Sequence, residues 1–317
     1  MRRILIIKTS SLGDVVHALP AITDARRAYP EVEVDWLVEE SFRDIPPLHP
    51  GVSRVLECNV RRWRRAFASP ATWRAVAGLR RQLRETPYDL VLDLQGLAKS
   101  AWLARMAPGP RHGYGFTSIR DPLASIAYDV RHRISLELHA IERNRRLAAA
   151  ALGYRPSGVA DYGLSPRPAT KAESRPIICF HGTSRDDKLW PESHWRSVLT
   201  HYAARRTPLL LPWGSTREKA RSERLAAGIP GIEIPPRQSI GSLAQQCAHA
   251  LGVIGVDTGL THLAAAAGAP VIALYVATDP GLTGVAGGRS PARNLGRRGA
   301  PSSANEVIAA ADQMFCA

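Results

Sequence analysis

The chain has 317 residues, 45% of them hydrophobic, and a formal charge of +14 from 42 Lys and Arg against 28 Asp and Glu. That length exceeds the usual single domain and leaves room for two ordinary cores. The basic balance holds in both halves, 25 cations against 17 acids up to Ser165 and 17 against 11 beyond it, and points to an anionic partner. Cys58, Cys179, Cys247 and Cys316 form no CxxC pair, which suits reduced thiols and gives no zinc site; the ten histidines show no metal-ligand spacing either. Arg2 and Arg3 precede only four apolar residues, too few for a signal peptide. The apolar stretch Leu263 to Ala277 is broken by Gly268 and Pro270, so it is not a membrane span. A soluble, cytoplasmic protein is expected.

In chain order, Ile4 to Ile7 reads as a buried strand. The polar turn KTSSLGD, Lys8 to Asp14, follows it, and then a helix from Val15 with Val16, Leu19, Ile22 and Ala25 on one repeat. Further strands are predicted at Val34–Val38, Val52–Glu57 and Leu90–Leu94, with helices at Ala71–Glu85, Ala98–Met106 and Ser135–Leu152. Prolines and glycines between Tyr154 and Pro176 interrupt any long element and place a hinge near Ser165, dividing the chain into domains 1–165 and 166–317. The second half predicts strands at Ile177–His181, Leu209–Pro212, Ile232–Ile234, Leu251–Val256 and Val271–Tyr275, and a weak closing helix over Asn305–Phe315. Strands alternating with helices predict an α/β fold of two Rossmann-like domains with parallel sheets. No GxGxxG fingerprint is present, which disfavours a dinucleotide dehydrogenase.

Two turns carry the chemistry. VDTGLTH, Val256 to His262, lies between an apolar strand and a small-residue helix, the arrangement that points backbone N–H groups and a positive dipole end at a phosphate or diphosphate. Asp257 and Thr258 are good caps, Gly259 admits a ligand to the backbone, and His262 lies one turn on; a plain helix cap with a surface histidine explains the same letters. After the first strand of the second half, Thr183 and Ser184 offer hydroxyls and Lys188 a point charge for phosphate oxygens. Glu218, after LPWG, is placed to accept from a ribose or to charge a first helical turn. Gly13 and Asp14 occupy the matching strand-to-helix handover of the first half, where open α/β sheets bind ligands.

From Arg61 to Arg84 eight arginines occur without an acid, interleaved with Trp63, Phe67 and Trp73. Such a mixture suits stacked nucleobases or the headgroup zone of an anionic membrane. For Arg80, Arg81 and Arg84 a solvated helix face suffices, whereas the tight RRWRR cluster, Arg61, Arg62, Arg64 and Arg65 around Trp63, favours a functional role because its self-repulsion needs compensation.

KTSSLGDVVHALPA, DWLVEE, RRWRR, DLQGLAKS, TSRDDKLWPESHW, LPWG, VDTGLTH and TDPGL, as an ordered set from residue 3 to about residue 284, resemble the ADP-heptose:lipopolysaccharide heptosyltransferases of glycosyltransferase family 9. Within that family the chain is most similar to the members that add the first heptose. The resemblance implies a GT-B fold, two Rossmann-like domains facing across a central cleft, the first binding acceptor and the second ADP-sugar, with the final helix returning to the first domain. It implies an inverting, metal-independent enzyme without cofactor that moves L-glycero-D-manno-heptose from ADP-heptose to the first Kdo of Kdo2-lipid A, peripherally bound at the cytoplasmic face of the inner membrane and its anionic leaflet. Asp14 is then the general base. Lys188, Thr183, Ser184, Thr258, Gly259 and His262 meet the diphosphate, Asp257 orients the donor heptose and Glu218 holds the adenosine ribose. Ser10, Gly13, Arg61, Arg62, Arg64, Arg65, Arg120 and His139 meet the acceptor. Where the family reads YGPTDP this chain has Tyr275 to Pro280 as YVATDP, so that loop is expected to differ in shape, and residues after Gly284 match poorly. Two alternatives remain: a related enzyme adding a later core heptose, and a basic nucleic-acid-binding protein, which leaves Asp14, Lys188 and VDTGLTH unexplained. No nucleic-acid partner is therefore expected.

Overall fold

The computed structural model describes residues 2–164 and 175–315; the hinge expected at Ser165, and Cys316, lie outside the described residues. The chain divides into two units, Met1–Gly163 and Leu164–Ala317, a boundary two residues before the one expected. In the first unit the order is β1 (Arg3–Ile7), α1 (Leu12–Val16), α2 (Leu19–Ala28), β2 (Glu33–Glu39), β3 (Val52–Cys58), α3 (Val60–Arg65), α4 (Pro70–Arg84), β4 (Leu90–Asp93), α5 (Ala98–Ala104), β5 (Arg111–Tyr114), β6 (Val130–His132) and α6 (Ala140–Leu152). The six strands form one sheet in the order β3-β2-β1-β4-β5-β6, parallel throughout. β1 is central, paired Ile4 to Val34 on one side and Ile4 to Leu90 on the other. Its Ile4, Leu5, Ile6 and Ile7 are all buried, as the continuous apolar run of a strand covered on both faces requires.

The second unit runs β7 (Ile177–Phe180), α7 (Glu192–Ala204), β8 (Leu209–Leu210), α8 (Thr216–Ala226), β9 (Ile232–Glu233), α9 (Ile240–His249), β10 (Gly252–Val256), α10 (Gly259–Ala266), β11 (Val271–Leu274), α11 (Pro280–Thr283), β12 (Ala292–Leu295) and α12 (Ala304–Phe315). Its sheet order is β12-β11-β10-β7-β8-β9. Numbered from its own first strand, this is the winding of the first unit again. Both are the doubly wound 3-2-1-4-5-6 order, whose ligand crevice opens at the carboxyl ends of the strands where the order reverses. The reversal falls between β1 and β4 in one unit and between β7 and β10 in the other.

Three expectations need correction. The helix from Val15 is two: α1 ends at Val16, and α2 starts at Leu19 with Pro20 in its first turn, because proline has no N–H to continue the preceding turn. The helix expected from Ser135 starts at Ala140; His139 stands extended and its Nδ1 accepts from the Ile141 N–H at 3.3 Å, so the ring caps the helix. Strands β5, β6 and β12 had not been expected. The closing helix α12 packs within its own unit: Val307, Ala311 and Phe315 join the core of α7, β10 and β11, and Asp312 accepts from the Tyr202 hydroxyl at 2.9 Å. A Cβ at Gly252 would come within 2.2 Å of the Phe315 ring, so glycine is what lets that ring seat on β10. Burying such a ring contributes about 2–3 kcal/mol.

Candidate active site

Because every strand of a unit points the same way, the carboxyl ends of its strands share one edge. Each expected first-unit residue falls after such an end. Ser10, Gly13 and Asp14 follow β1, the RRWRR residues form α3 after β3, Arg120 follows β5, and His139 follows β6.

The turn after β1 is bound to the turn after β4. The N–H groups of Thr9 and Ser10 both donate to Gln95 Oε1 at 3.1 Å, and Lys99 Nζ donates to Ser10 Oγ at 2.7 Å. Asp14 is partly exposed and its Oδ2 accepts from the Ser11 N–H at 2.8 Å and the Ser11 hydroxyl at 2.9 Å. The carboxylate therefore closes the capping box of α1, the local role its position near a helix start suggested. Beneath it Lys8 is buried. Its Nζ donates to the Leu94 carbonyl at 2.8 Å and lies 3.4 Å from Asn144 Oδ1. Burial pushes its pKa down, the charges of Asp14 and Asp93 oppose that, and Arg143 and Arg120 add to it. Arg120 thus lies within electrostatic reach of this turn while itself exposed. Asp93, fully enclosed and pushed up by burial, accepts from the Tyr128 hydroxyl at 2.7 Å and from the Gln95 and Gly96 amides. His139 stands edge-on to His17, ring centroids 5.7 Å apart.

The arginine cluster is on the same edge but not at the reversal point. α3 follows β3, two strands from β1, so roughly 10 Å to the side at about 4.8 Å per strand. Arg61, Arg62, Arg64 and Arg65 are exposed, and among the described residues none of their guanidinium groups forms a salt bridge. The Arg61 amide donates to Glu39 Oε1 at 3.1 Å and its guanidinium lies 6.0 Å from the Phe42 ring centre.

In the second unit Thr183, Ser184 and Lys188 follow β7, Glu218 follows β8, and Asp257, Thr258, Gly259 and His262 follow β10. Lys188 Nζ donates to Asp257 Oδ2 at 2.7 Å, the Thr278 hydroxyl donates to the same oxygen at 2.6 Å, and His262 Nε2 stands 3.9 Å from Oδ1. Burial works against charge on Asp257, but bonds from His262, Lys188 and Thr278 outweigh it and hold the carboxyl well below the usual range. Thr183 Oγ1 donates to the Asp257 carbonyl at 3.2 Å, and Ser184 is exposed beside it. Thr258 is the N-cap of α10 without a side-chain cap bond; as at any helix start, the first N–H groups from Gly259 on have no intrahelical acceptor. Cation, hydroxyls and open amides thus meet at the reversal point between β7 and β10.

Glu218 caps α8, its Oε2 accepting from the Gly214 and Ser215 amides at 2.7 and 2.9 Å. Its Oε1 would be 2.5 Å from a Cβ on Gly182, so only glycine allows the carboxylate to face the turn after β7. Asp186 pairs with Arg217 and Asp187 with Arg185. Lys8, Asp93, Lys99, Asn144 and Thr278 were not singled out in the sequence. Lys8, Asp93, Lys99 and Thr278 stand inside quoted motifs, but only the pairing of distant strands reveals their partners. Among the described residues no group of three or more His, Cys, Asp and Glu converges as a metal ion would need, and no helix is long and apolar enough to cross a membrane.

Two doubly wound units, each with polar residues following the carboxyl ends of its strands, give the chain the GT-B fold of many glycosyltransferases. Residues 76–306 match glycosyltransferase family 9 (heptosyltransferase), and the chain belongs to that family. It is 44% identical over 310 residues to lipopolysaccharide heptosyltransferase 1 of Salmonella typhimurium, an alignment covering 95% of this chain and 98% of the relative. Among solved structures it is similar to E. coli heptosyltransferase WaaC with ADP, with a TM-score of 0.91, 41% identity and coverage of 98% and 99% of the two chains. WaaC with ADP-2-deoxy-2-fluoro heptose gives a TM-score of 0.87 at 40% identity, covering 99% and 98%.

Proposed function

We propose that the enzyme transfers L-glycero-D-manno-heptose from ADP-heptose to the first Kdo of Kdo2-lipid A, with inversion and without a metal ion. The observation that carries the proposal is the Lys188–Asp257–Thr278 cluster beside the open amides of α10. A cationic, hydroxyl-rich helix start suits a diphosphate, and a half-buried carboxylate held ionised suits sugar hydroxyls. The relative solved with ADP and with a fluoro-heptose analogue of its ADP-sugar supports the same donor here.

In this reading the second unit holds ADP-heptose: Glu218 at the ribose, Thr183, Ser184, Lys188, Thr258, Gly259 and His262 at the diphosphate, and Asp257 at the heptose. The first unit holds the acceptor through Ser10, Gly13, Arg61, Arg62, Arg64, Arg65, Arg120 and His139. The acceptor hydroxyl attacks the anomeric carbon on the face opposite the leaving ADP. Asp14 takes its proton as the bond forms, and the carbon–oxygen bond to the diphosphate breaks. The charge that develops on the leaving phosphate falls on Lys188 and the α10 amides, preorganised donors of the kind that usually supply the largest electrostatic contribution. Asp14 already accepts two hydrogen bonds on Oδ2, which fixes its orientation for that transfer. With its acceptor in a lipid leaflet, the enzyme works as a cytoplasmic protein peripheral to the inner membrane.

The test is incubation with ADP-heptose and Kdo2-lipid A, with and without chelator, followed by mass measurement of the lipid. One added heptose in both samples is the expected result. Growth only of an already heptosylated core would favour the later-heptose reading, and loss of transfer in chelator would overturn the metal-independent mechanism.

A further inference from the structure

Eight of the ten large apolar side chains that stand exposed among the described residues fall between Phe67 and Leu136, all in the first unit. Some of them meet in pairs or sit on packed neighbours. Phe67 and Trp73 meet edge-on at 5.3 Å, and Trp73 Nε1 donates to the Phe67 carbonyl. Trp102 on α5 stands edge-on to Trp63 on α3 at 6.3 Å. α5 packs against the 3-10 segment Pro122–Ala127, whose Leu123 and Ile126 are 72% and 60% exposed. The neighbouring Phe116 carries the Arg131 guanidinium over its ring. Around these side chains lie the exposed arginines of α3 with Arg74, Arg105, Arg120 and Arg131, and no acid occurs from Arg61 to Arg84.

We infer that this face of the first unit docks on a bilayer carrying anionic lipid, with Phe67, Leu123 and Ile126 entering the interfacial zone and the α3 arginines meeting headgroup phosphates. The inference rests on the reading that the acceptor is lipid-linked. Exposed apolar side chains concentrated on one unit and edged by cations mark an interaction surface. Tryptophan and arginine at its margin are the residues that settle at the headgroup level, and the basic rim complements an anionic leaflet. A second copy of the chain fits less well, because two such rims would repel each other. Nucleic acid would find rings to stack on but would leave Leu123 and Ile126 against phosphodiesters.

The test is sedimentation of the full chain with vesicles of phosphatidylcholine alone or mixed with phosphatidylglycerol, together with quenching of tryptophan fluorescence by brominated acyl chains. Binding and quenching are expected only with phosphatidylglycerol. Phe67→Ser/Leu123→Ser/Ile126→Ser is expected to lose about tenfold or more in partition at equal salt while keeping ADP affinity and thermal stability, since all three side chains are exposed. Trp102→Phe, which needs no change of fold, is expected to reduce the quench. Equal vesicle binding by parent and triple variant overturns the inference. So does a concentration-dependent dimer that the triple variant abolishes in a chain that never pellets with vesicles, or a parent chain that pellets with RNA and not with vesicles. Transfer to a lipid-free Kdo acceptor is measured in parallel, so that failure of the transfer reading with intact vesicle binding is told apart from failure of the docking face.

Discussion

Replacing Lys188 by alanine separates two roles that its position combines. Its Nζ lies 2.7 Å from Asp257 Oδ2, with the two side chains 19% and 11% exposed. At an effective dielectric near 20 the attraction at that distance is about 6 kcal/mol, most of it offset by the desolvation of both ions. Removing one partner of a fully buried pair costs about 3–5 kcal/mol. Asp257 keeps Thr278 and His262 and some contact with water, so we expect about 2–3 kcal/mol, seen as a fall of roughly 5 °C or more in unfolding temperature. If Lys188 also meets the leaving phosphate, turnover falls by a further 10²–10³, the usual effect of losing one preorganised donor, and ADP loses much of its stabilising effect in thermal unfolding. Steady-state transfer and unfolding with and without ADP measure both. Asp257→Asn and the double variant complete a cycle. Turnover within a few-fold of the parent, with only stability reduced and the double variant restored in both, would show that Lys188 serves Asp257 alone and refute its catalytic placement.

Asp14→Asn is expected to cost about 1 kcal/mol through the capping box and 10²–10⁴ in turnover, with ADP affinity kept; retained turnover removes Asp14 from the mechanism. Changing Arg61, Arg62, Arg64 and Arg65 together to glutamine is expected to raise the acceptor's KM well above any change in the donor's, with stability altered by less than about 0.5 kcal/mol because the groups are exposed; equal effects on both substrates assign the helix another job. Buried His49 and His181 are each pushed down to about 4, chiefly by burial. Their neutral form is favoured by the fold, so that contribution is complete above the unfolded value near 6.5 and is lost as pH falls towards 4, by up to about 3 kcal/mol each. Denaturant titrations at pH 7.5 and pH 5 check the direction, and equal or greater stability at pH 5 contradicts it.

The central strands were legible because burial on both faces demands unbroken apolar runs, as in Ile4 to Ile7 and Val253 to Val256. The strands that escaped are short and polar: β5 reads RHGY, β6 VRH and β12 ARNL, and β6 and β12 close their sheets at an edge, where one side of the ladder asks nothing of the sequence. The turns after β1, β7 and β10 were legible from their cap residues and glycines, which act locally. What those turns touch was not. Thr278 meets Asp257 only because β11 lies beside β10, and Lys8 meets Leu94 only because β4 lies beside β1. Glu218 acts as its place in a first helical turn suggested, with one oxygen spent on the helix cap while the other faces Gly182.

The repeated winding has a consequence for the covalent chain. Each half completes a six-stranded sheet without borrowing a strand, and α12, the last helix, closes the half that precedes it. Cutting the backbone between Gly163 and Arg175 should therefore yield two fragments that each keep their own sheet. The later fragment should still capture ADP in isolation, though no sugar would be passed on.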